Sequence, residues 1–295
     1  MELGISGIQV EDNVQISQED KEKQFIDYLA DLPEDDGTAY ISFYTEEDDN
    51  AEQLLDQLRE KLKEAKSFIN VGEGSIEKST TEDVDWVNNW KKYFKSFTVG
   101  EFFIKPTWEE VDEEHKGMKM IEIDPGTAFG TGMHETTQLV IRQLKKFVKP
   151  GMEILDVGTG SGILGIVALK LGAGHVVGTD LDPCAVPAVS ENKEANQIEE
   201  KSFDMMIGNI IDDKDVQDQV GYEKYDIVTA NILADVLVPL TPVIVAQMKK
   251  GAYYITSGIL DVKEDVVVQA VKDAGLTLVE VTHQGEWVSV TARKD

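Results

Sequence analysis

The sequence predicts an α/β fold: a mostly parallel sheet with helices on both faces, closed at one edge by an antiparallel hairpin and preceded by a smaller α/β unit. Three observations carry this. From residue 150 onward, short apolar runs alternate with helical stretches. A turn rich in glycine, Gly158-Thr159-Gly160-Ser161-Gly162, joins the first of those runs to an apolar helix. The last two runs, 276–281 and 286–292, have no helix between them. The 295 residues suit two domains at ~150 residues each.

Composition narrows the class. Lys and Arg total 28 against 56 Asp and Glu, a formal charge of −28. Direct nucleic-acid binding is therefore not expected, because neutralising phosphates needs clustered cations. The single cysteine, Cys184, excludes a disulfide framework and a Cys-rich metal site. The four histidines lie far apart without ligand-like spacing, so no metal site is expected. No apolar run approaches the ~20 residues that span a bilayer, and Met1-Glu2-Leu3-Gly4-Ile5 lacks a basic leader segment. A soluble cytoplasmic protein with no membrane partner is expected. The negative charge serves solubility or speeds encounter with a basic partner; composition leaves both open.

Residues 1–80 hold most of the dense acidic clusters and read as one small unit. The runs 5–10 and 38–45 are strand-like, the second through Tyr40, Phe43 and Tyr44. Asn50 with Gln53 resembles a capping box. The helix that follows sets Leu54, Leu55, Leu58, Leu62 and Ala65 on one face. Residues 81–95 read as a linker helix with Trp86, Trp90 and Tyr93 on one side and a basic patch of Lys91, Lys92 and Lys95. A larger domain then occupies 96–295. Residues 99–107 read as a strand and 109–119 as a polar loop. A helix starting at Thr136 carries Leu139, Val140, Leu144 and Phe147. Strands follow at 152–157, 175–179, 225–230 and 252–257, with helices at 163–171, 232–248 and 263–274.

The glycine turn follows a predicted strand and opens a predicted helix, where backbone can approach a ligand closely. Its spacing is G-x-G-x-G, and the position a dinucleotide fingerprint reserves for a further glycine is Ile163. No Gly-Lys-Ser/Thr triplet is present. The second strand ends at Asp180, 22 residues beyond Gly158, where a carboxylate can accept two hydrogen bonds from a ribose. Gly158, Gly160, Gly162 and Asp180 thus point to an adenosine-containing ligand. S-adenosylmethionine suits the pattern better than NAD, because it brings no pyrophosphate to the helix N-terminus. Asp156, just before the turn, is placed to complement that cofactor's ammonium group. The stretch from Ile123 to Thr137 packs three glycines and Pro125 into a sculpted loop. Thr136 and Thr137 read either as helix caps or as part of a loop over the cofactor, with Phe129 packing and Thr137 donating a hydrogen bond. Asn231, at the end of the fourth strand, reads equally as an N-cap or as a carboxamide facing the ligand crevice.

Several motifs together resemble the bacterial methyltransferases that modify large-subunit ribosomal protein L-eleven. They are Asp124 through His134 (Asp-Pro-Gly-Thr-Ala-Phe-Gly-Thr-Gly-Met-His), Asp156 through Leu164, Asp180-Leu-Asp-Pro183, Ala230 through Ala234, Ser257-Gly-Ile259 and Gln284-Gly-Glu-Trp287. The helix around Trp86 and Trp90, with Pro106-Thr-Trp108, is also similar. The resemblance covers most of 80–295. It implies a class I methyltransferase domain, a Rossmann-like doubly wound sheet, preceded by a small ferredoxin-like substrate-recognition domain at 1–80. It also implies transfer of methyl groups from S-adenosylmethionine to amino groups of that basic ribosomal protein, lysine side chains or the N-terminal α-amine. The implied cofactor-binding positions are Thr137, Gly158, Asp180 and Asn231, with Phe129 and Gly130 in the loop before them; Asn231 is the candidate catalytic residue, orienting the amine or the cofactor. Other targets (another protein, RNA, a small amine) and a non-catalytic nucleoside-binding role remain alternatives. The family's opening strand and most of its first helix have no counterpart, so a truncated recognition domain is expected. Pro187 falls within an expected helix and predicts a kink or late start there.

Overall fold

The computed structural model describes residues 9–12, 14, 37–43, 51–69, 71–78, 96–124 and 135–295. The chain forms two compact units, Met1–Asp85 and Trp86–Asp295.

In the first unit, β1 (Gln9–Glu11) pairs antiparallel with β2 (Tyr40–Ser42), Val10 opposite Ile41. Helix α1 (Ala51–Ala65) follows. Its half-buried positions are Leu54, Leu55, Leu58, Leu62 and Ala65, and the residues between them are exposed. Spacing of three and four along a 3.6-residue turn puts them on one stripe. Asn50 and the expected linker helix at 81–95 lie outside the described residues.

The second unit opens with a small sheet. β3 (Phe97–Val99) and β4 (Phe102–Lys105) form an antiparallel hairpin, and β5 (Lys119–Glu122) runs parallel to β4. The single strand expected at 99–107 is therefore split. Gly100 has φ +60, a turn conformation that reverses the chain between Val99 and Phe102.

The main sheet has seven strands: β6 (Glu153–Val157), β7 (His175–Asp180), β8 (Phe203–Ile207), β9 (Tyr225–Asn231), β10 (Met248–Leu260), β11 (Thr277–Gln284) and β12 (Trp287–Arg293). Their spatial order is β8-β7-β6-β9-β10-β12-β11. β12 runs antiparallel to both β10 and β11, and the other pairings are parallel. The strand order reverses between β6 and β9, so the crevice at the carboxyl ends of these two strands is the topological switch point.

Six helices cover the sheet: α2 (Glu135–Phe147), α3 (Ile163–Lys170), α4 (Ala185–Ala195), α5 (Lys214–Val220), α6 (Ala234–Ile244) and α7 (Glu264–Asp273). Successive strand residues feed two separate cores. Ile154, Val176, Ile227 and Ile255 pack with Val140, Leu144, Ile166 and Val189 from α2, α3 and α4. Leu155, Val177, Val228 and Tyr254 pack with Val216, Leu237, Leu240 and Val267 from α5, α6 and α7. Burial on both faces explains why these strands read as continuous apolar runs.

Pro187 neither kinks α4 nor delays it. It is the third residue of a helix that begins at Ala185, where a backbone N–H has no partner within the helix. Sequence reading missed β8 and α5. The helix expected at 232–248 ends at Ile244, and Met248 already begins β10.

Candidate active site

The glycine turn is held from below and behind. The backbone N–H groups of Gly158 and Thr159 both donate to the Thr179 carbonyl, at 2.8 and 3.1 Å, where β7 ends beside β6. Gly158, Gly160 and Gly162 take φ of +70, +52 and +82, which L side chains rarely adopt. At Gly158 a Cβ would come within 2.5 Å of the Ile232 Cγ2. Glycine is required there by space as well as by φ.

Asp180 closes the turn from the side. Its Oδ2 accepts the Gly160 N–H at 2.8 Å and its Oδ1 the Asp182 N–H at 3.0 Å. An ionised carboxylate has about four acceptor sites, so two remain for further donors. Asp182 in turn accepts the N–H of the exposed Cys184 at 2.9 Å.

Asp156, the penultimate residue of β6, stands just before the turn. It is fully buried, with Thr159 donating to one oxygen at 2.7 Å and Thr229 to the other at 2.6 Å. Burial pushes its carboxyl above the ordinary range, against the hydrogen bonds from Thr229 and Thr159. The side chain ties the glycine turn to β9.

Asn231 ends β9 across the switch point. Its Nδ2 donates to the Thr137 hydroxyl at 3.2 Å, while its buried Oδ1 has no partner among the described residues. Thr137, buried in the first turn of α2, is thereby brought to the site. The Ile232 N–H donates to the Ser257 carbonyl at 3.1 Å. Gly258 follows at φ +84, and a Cβ there would lie 2.4 Å from the Ile232 carbonyl oxygen. The motifs around 158, 231 and 258 thus meet at one residue, Ile232.

The structure therefore gathers Gly158, Gly160, Gly162, Asp180, Asn231 and Thr137 at the carboxyl edge of the sheet. It supplies a floor of backbone, a carboxylate on one side and an unsatisfied amide oxygen on the other. A sequence profile of the ribosomal protein L11 methyltransferases (PrmA) matches residues 1–295. The chain belongs to that family.

Relatives of this methyltransferase agree over nearly its whole length. The ribosomal protein L11 methyltransferase of Lachnospira eligens is 55% identical over 294 residues, covering 99% of this chain and 92% of that protein. The one from Agathobacter rectalis is 53% identical over 298 residues, covering 100% and 92%. The crystal structure of ribosomal protein L11 methylase from Lactobacillus delbrueckii subsp. bulgaricus aligns with a TM-score of 0.61 at 32% identity, covering 68% of this chain and 100% of that one.

Phe129 and Gly130, expected at the cofactor, lie outside the described residues of this methyltransferase, as does His134. Sequence reading missed Thr229, Thr159 and the Thr179 carbonyl. Thr229 had a usable signal: it stands two residues before Asn231, so on the same strand face. Thr159 had one too, standing three residues after Asp156, whereas the Thr179 carbonyl acts through a contact between strands that the linear sequence does not reveal.

Proposed function

We propose that the protein transfers methyl groups from S-adenosylmethionine to amino groups of ribosomal protein L11. The observation that carries this is the Asn231 amide, with one end fixed by Thr137 and a buried oxygen awaiting a donor. A buried acceptor left empty costs ~1–3 kcal/mol, and a cofactor ammonium or a substrate amine is the donor that would satisfy it.

The residues present fit the cofactor. Gly158 and Gly162 have little room for a side chain, a Cβ there lying 2.5 Å from Ile232 and 3.1 Å from Val189, and the open acceptor sites of Asp180 match a ribose diol. When bound, the cofactor supplies an already activated sulfonium methyl. The work left to the protein is positioning, which for a displacement means an approach of ~3–3.5 Å with aligned orbitals. Asp180 and the glycine turn fix the adenosyl end. Asn231, braced by Thr137, orients the amine or the amino-acid end. Asp156 and Thr229 keep the turn in register with β9.

The amine must lose a proton before it attacks. For a lysine with pKa ~10.4 this costs ~4–5 kcal/mol at neutral pH, and for an α-amino group near ~8 only ~1 kcal/mol. Both classes are assigned as targets, the α-amine reacting with less assistance. Residues 1–80 are assigned to substrate recognition, 81–95 to a linker and 96–295 to the catalytic domain. The −28 charge favours encounter with a basic protein, and a ribosomal substrate supports a cytoplasmic location. No described helix is long and apolar enough to cross a membrane.

Mass spectrometry of ribosomal protein L11 before and after incubation with enzyme and S-adenosylmethionine tests this reading. Mass gains in methyl steps on amino groups are expected. Label from the cofactor appearing only in RNA, or binding without transfer to any substrate, would overturn it.

A further inference from the structure

Helix α4 lies behind the glycine turn; it carries the buried Asn192 and is capped at its C-terminus by the buried Asn196, four residues on. They do different work. Asn196 clamps β5: its Oδ1 accepts the Glu122 N–H at 2.9 Å and its Nδ2 donates to the Glu122 carbonyl at 2.5 Å. Asn192 bridges two segments. Its Oδ1 accepts the Asp124 N–H at 3.0 Å, and its Nδ2 donates to the Ser161 carbonyl at 2.9 Å.

Both ends of that bridge matter to the site. Ser161 sits inside the glycine turn, one residue before Gly162, the N-cap of α3. The Gly162 carbonyl accepts the first helical bond, from Ile166, so the Ser161 carbonyl lies outside the helix ladder. Asp124 is also held through its side chain, which accepts from the Thr107 N–H at 2.8 Å and the Thr107 hydroxyl at 2.7 Å. The turn has three positive-φ glycines and no side-chain cap at Gly162. Its shape therefore depends on groups that hold its backbone from outside.

We infer that Asn192 is a positioning residue for cofactor binding: its carboxamide locks the Ser161 carbonyl, and with it the 158–162 cradle, to the anchored backbone of Asp124. The residue lies behind the turn and acts through it. This rests on the cradle reading above. A carboxamide is the group this position needs, because the two contacts require an acceptor at one end and a donor at the other. Asp supplies only acceptors and sets a carboxylate oxygen against the Ser161 carbonyl. Leu supplies neither function.

The test uses the full-length chain with Asn192→Asp, Asn192→Leu and, as a control, Asn196→Leu. Thermal melts measure stability, calorimetry measures S-adenosylhomocysteine binding, and steady-state assays separate KM for S-adenosylmethionine from kcat. Both Asn192 variants should weaken S-adenosylhomocysteine about tenfold and raise KM for the methyl donor, leaving kcat within about twofold. Asn196→Leu removes more hydrogen bonds and should lower Tm at least as far, yet keep the Kd within about twofold of the wild type. The inference is overturned if the Asn192 variants bind as the wild type does, if Asn196→Leu loses affinity in step with its Tm, or if neither Asn192 variant folds. A wild-type chain that gives no heat with S-adenosylhomocysteine would instead overturn the cradle itself.

Discussion

Asn231 and Thr137 are 94 residues apart in the chain and share a hydrogen bond of 3.2 Å. The bond fixes which way the amide points, and so leaves its oxygen as the end offered to a ligand. Asn231→Ala should weaken S-adenosylhomocysteine about tenfold or more and reduce turnover further. Thr137→Val keeps the shape but frees the amide to rotate, and should show a smaller loss of both. Calorimetry and initial rates measure the pair. An Asn231→Ala enzyme with unaltered affinity and turnover would remove the residue from the mechanism.

Asp180 already serves two backbone N–H groups, those of Gly160 and Asp182. Asp180→Asn gives up the charge and half of the acceptor capacity. Hydrogen bonds to a charged group contribute ~1.5–3 kcal/mol, so affinity for S-adenosylhomocysteine should fall roughly 10- to 100-fold. The change in Tm should be small, because the side chain is only partly buried.

Two glycines crowd the same neighbour in different ways. A Cβ at Gly158 would meet the Ile232 side chain, whereas one at Gly258 would meet the Ile232 carbonyl oxygen. Both Gly158→Ala and Gly258→Ala should lower Tm. Adding Ile232→Ala should recover part of the loss at 158, with the positive-φ strain remaining, and none of the loss at 258. Melting curves of the three single variants, Ile232→Ala included, and the two doubles give the coupling directly. Equal rescue at both sites would contradict the geometry.

Asp156 makes a prediction about pH. Burial raises its carboxyl in the folded state, so the folded protein binds this proton more tightly than the unfolded chain does. Its contribution to stability is then greatest below the ordinary aspartate value of ~3.9 and declines as pH rises through the folded value. Asp156→Asn removes the titration while leaving Thr159 and Thr229 a group that both donates and accepts. The Tm of the wild type minus that of Asp156→Asn should fall steadily from acid towards neutral pH. A difference that does not vary with pH would show that burial leaves this carboxyl unshifted.

Charge should govern the encounter with the ribosomal protein but not with the cofactor. Raising salt from ~50 to ~200 mM shortens the screening length. It should therefore lower kcat/KM for the protein substrate, with the Kd of S-adenosylhomocysteine nearly constant. A flat salt profile for methylation would argue against electrostatic steering.

The central strands and the glycine turn were legible because one local pattern served several demands at once. Residues 153–163 carry an apolar strand, a turn that only glycine can make and a helix start. β8 and α5 escaped notice for the opposite reason. β8 is only five residues long, and although four of them are apolar only Phe203 is fully buried, so no clear period marks it; α5 is seven residues long among aspartates. Its start was still readable: Asp213 accepts the N–H groups of Asp215 and Val216 in an N-cap. At the site, Asp180 and Asn231 could be placed from their positions at strand ends. The bracing of Asp156 by Thr229, and of Ser161 by Asn192, depends on long-range packing. In sequence Asn192 is indistinguishable from other buried polar side chains, and Thr229 is marked only by its alternation with Asn231.

The run of backbone contacts from Asp180 through Asp182 ends at Cys184, an exposed thiol and the sole cysteine of the chain. A maleimide dye would therefore attach at one defined point, four residues from the Asp180 carboxylate, with no engineering of the protein. Fluorescence from that label would report occupancy in real time, turning every affinity measurement above into a stopped-flow experiment.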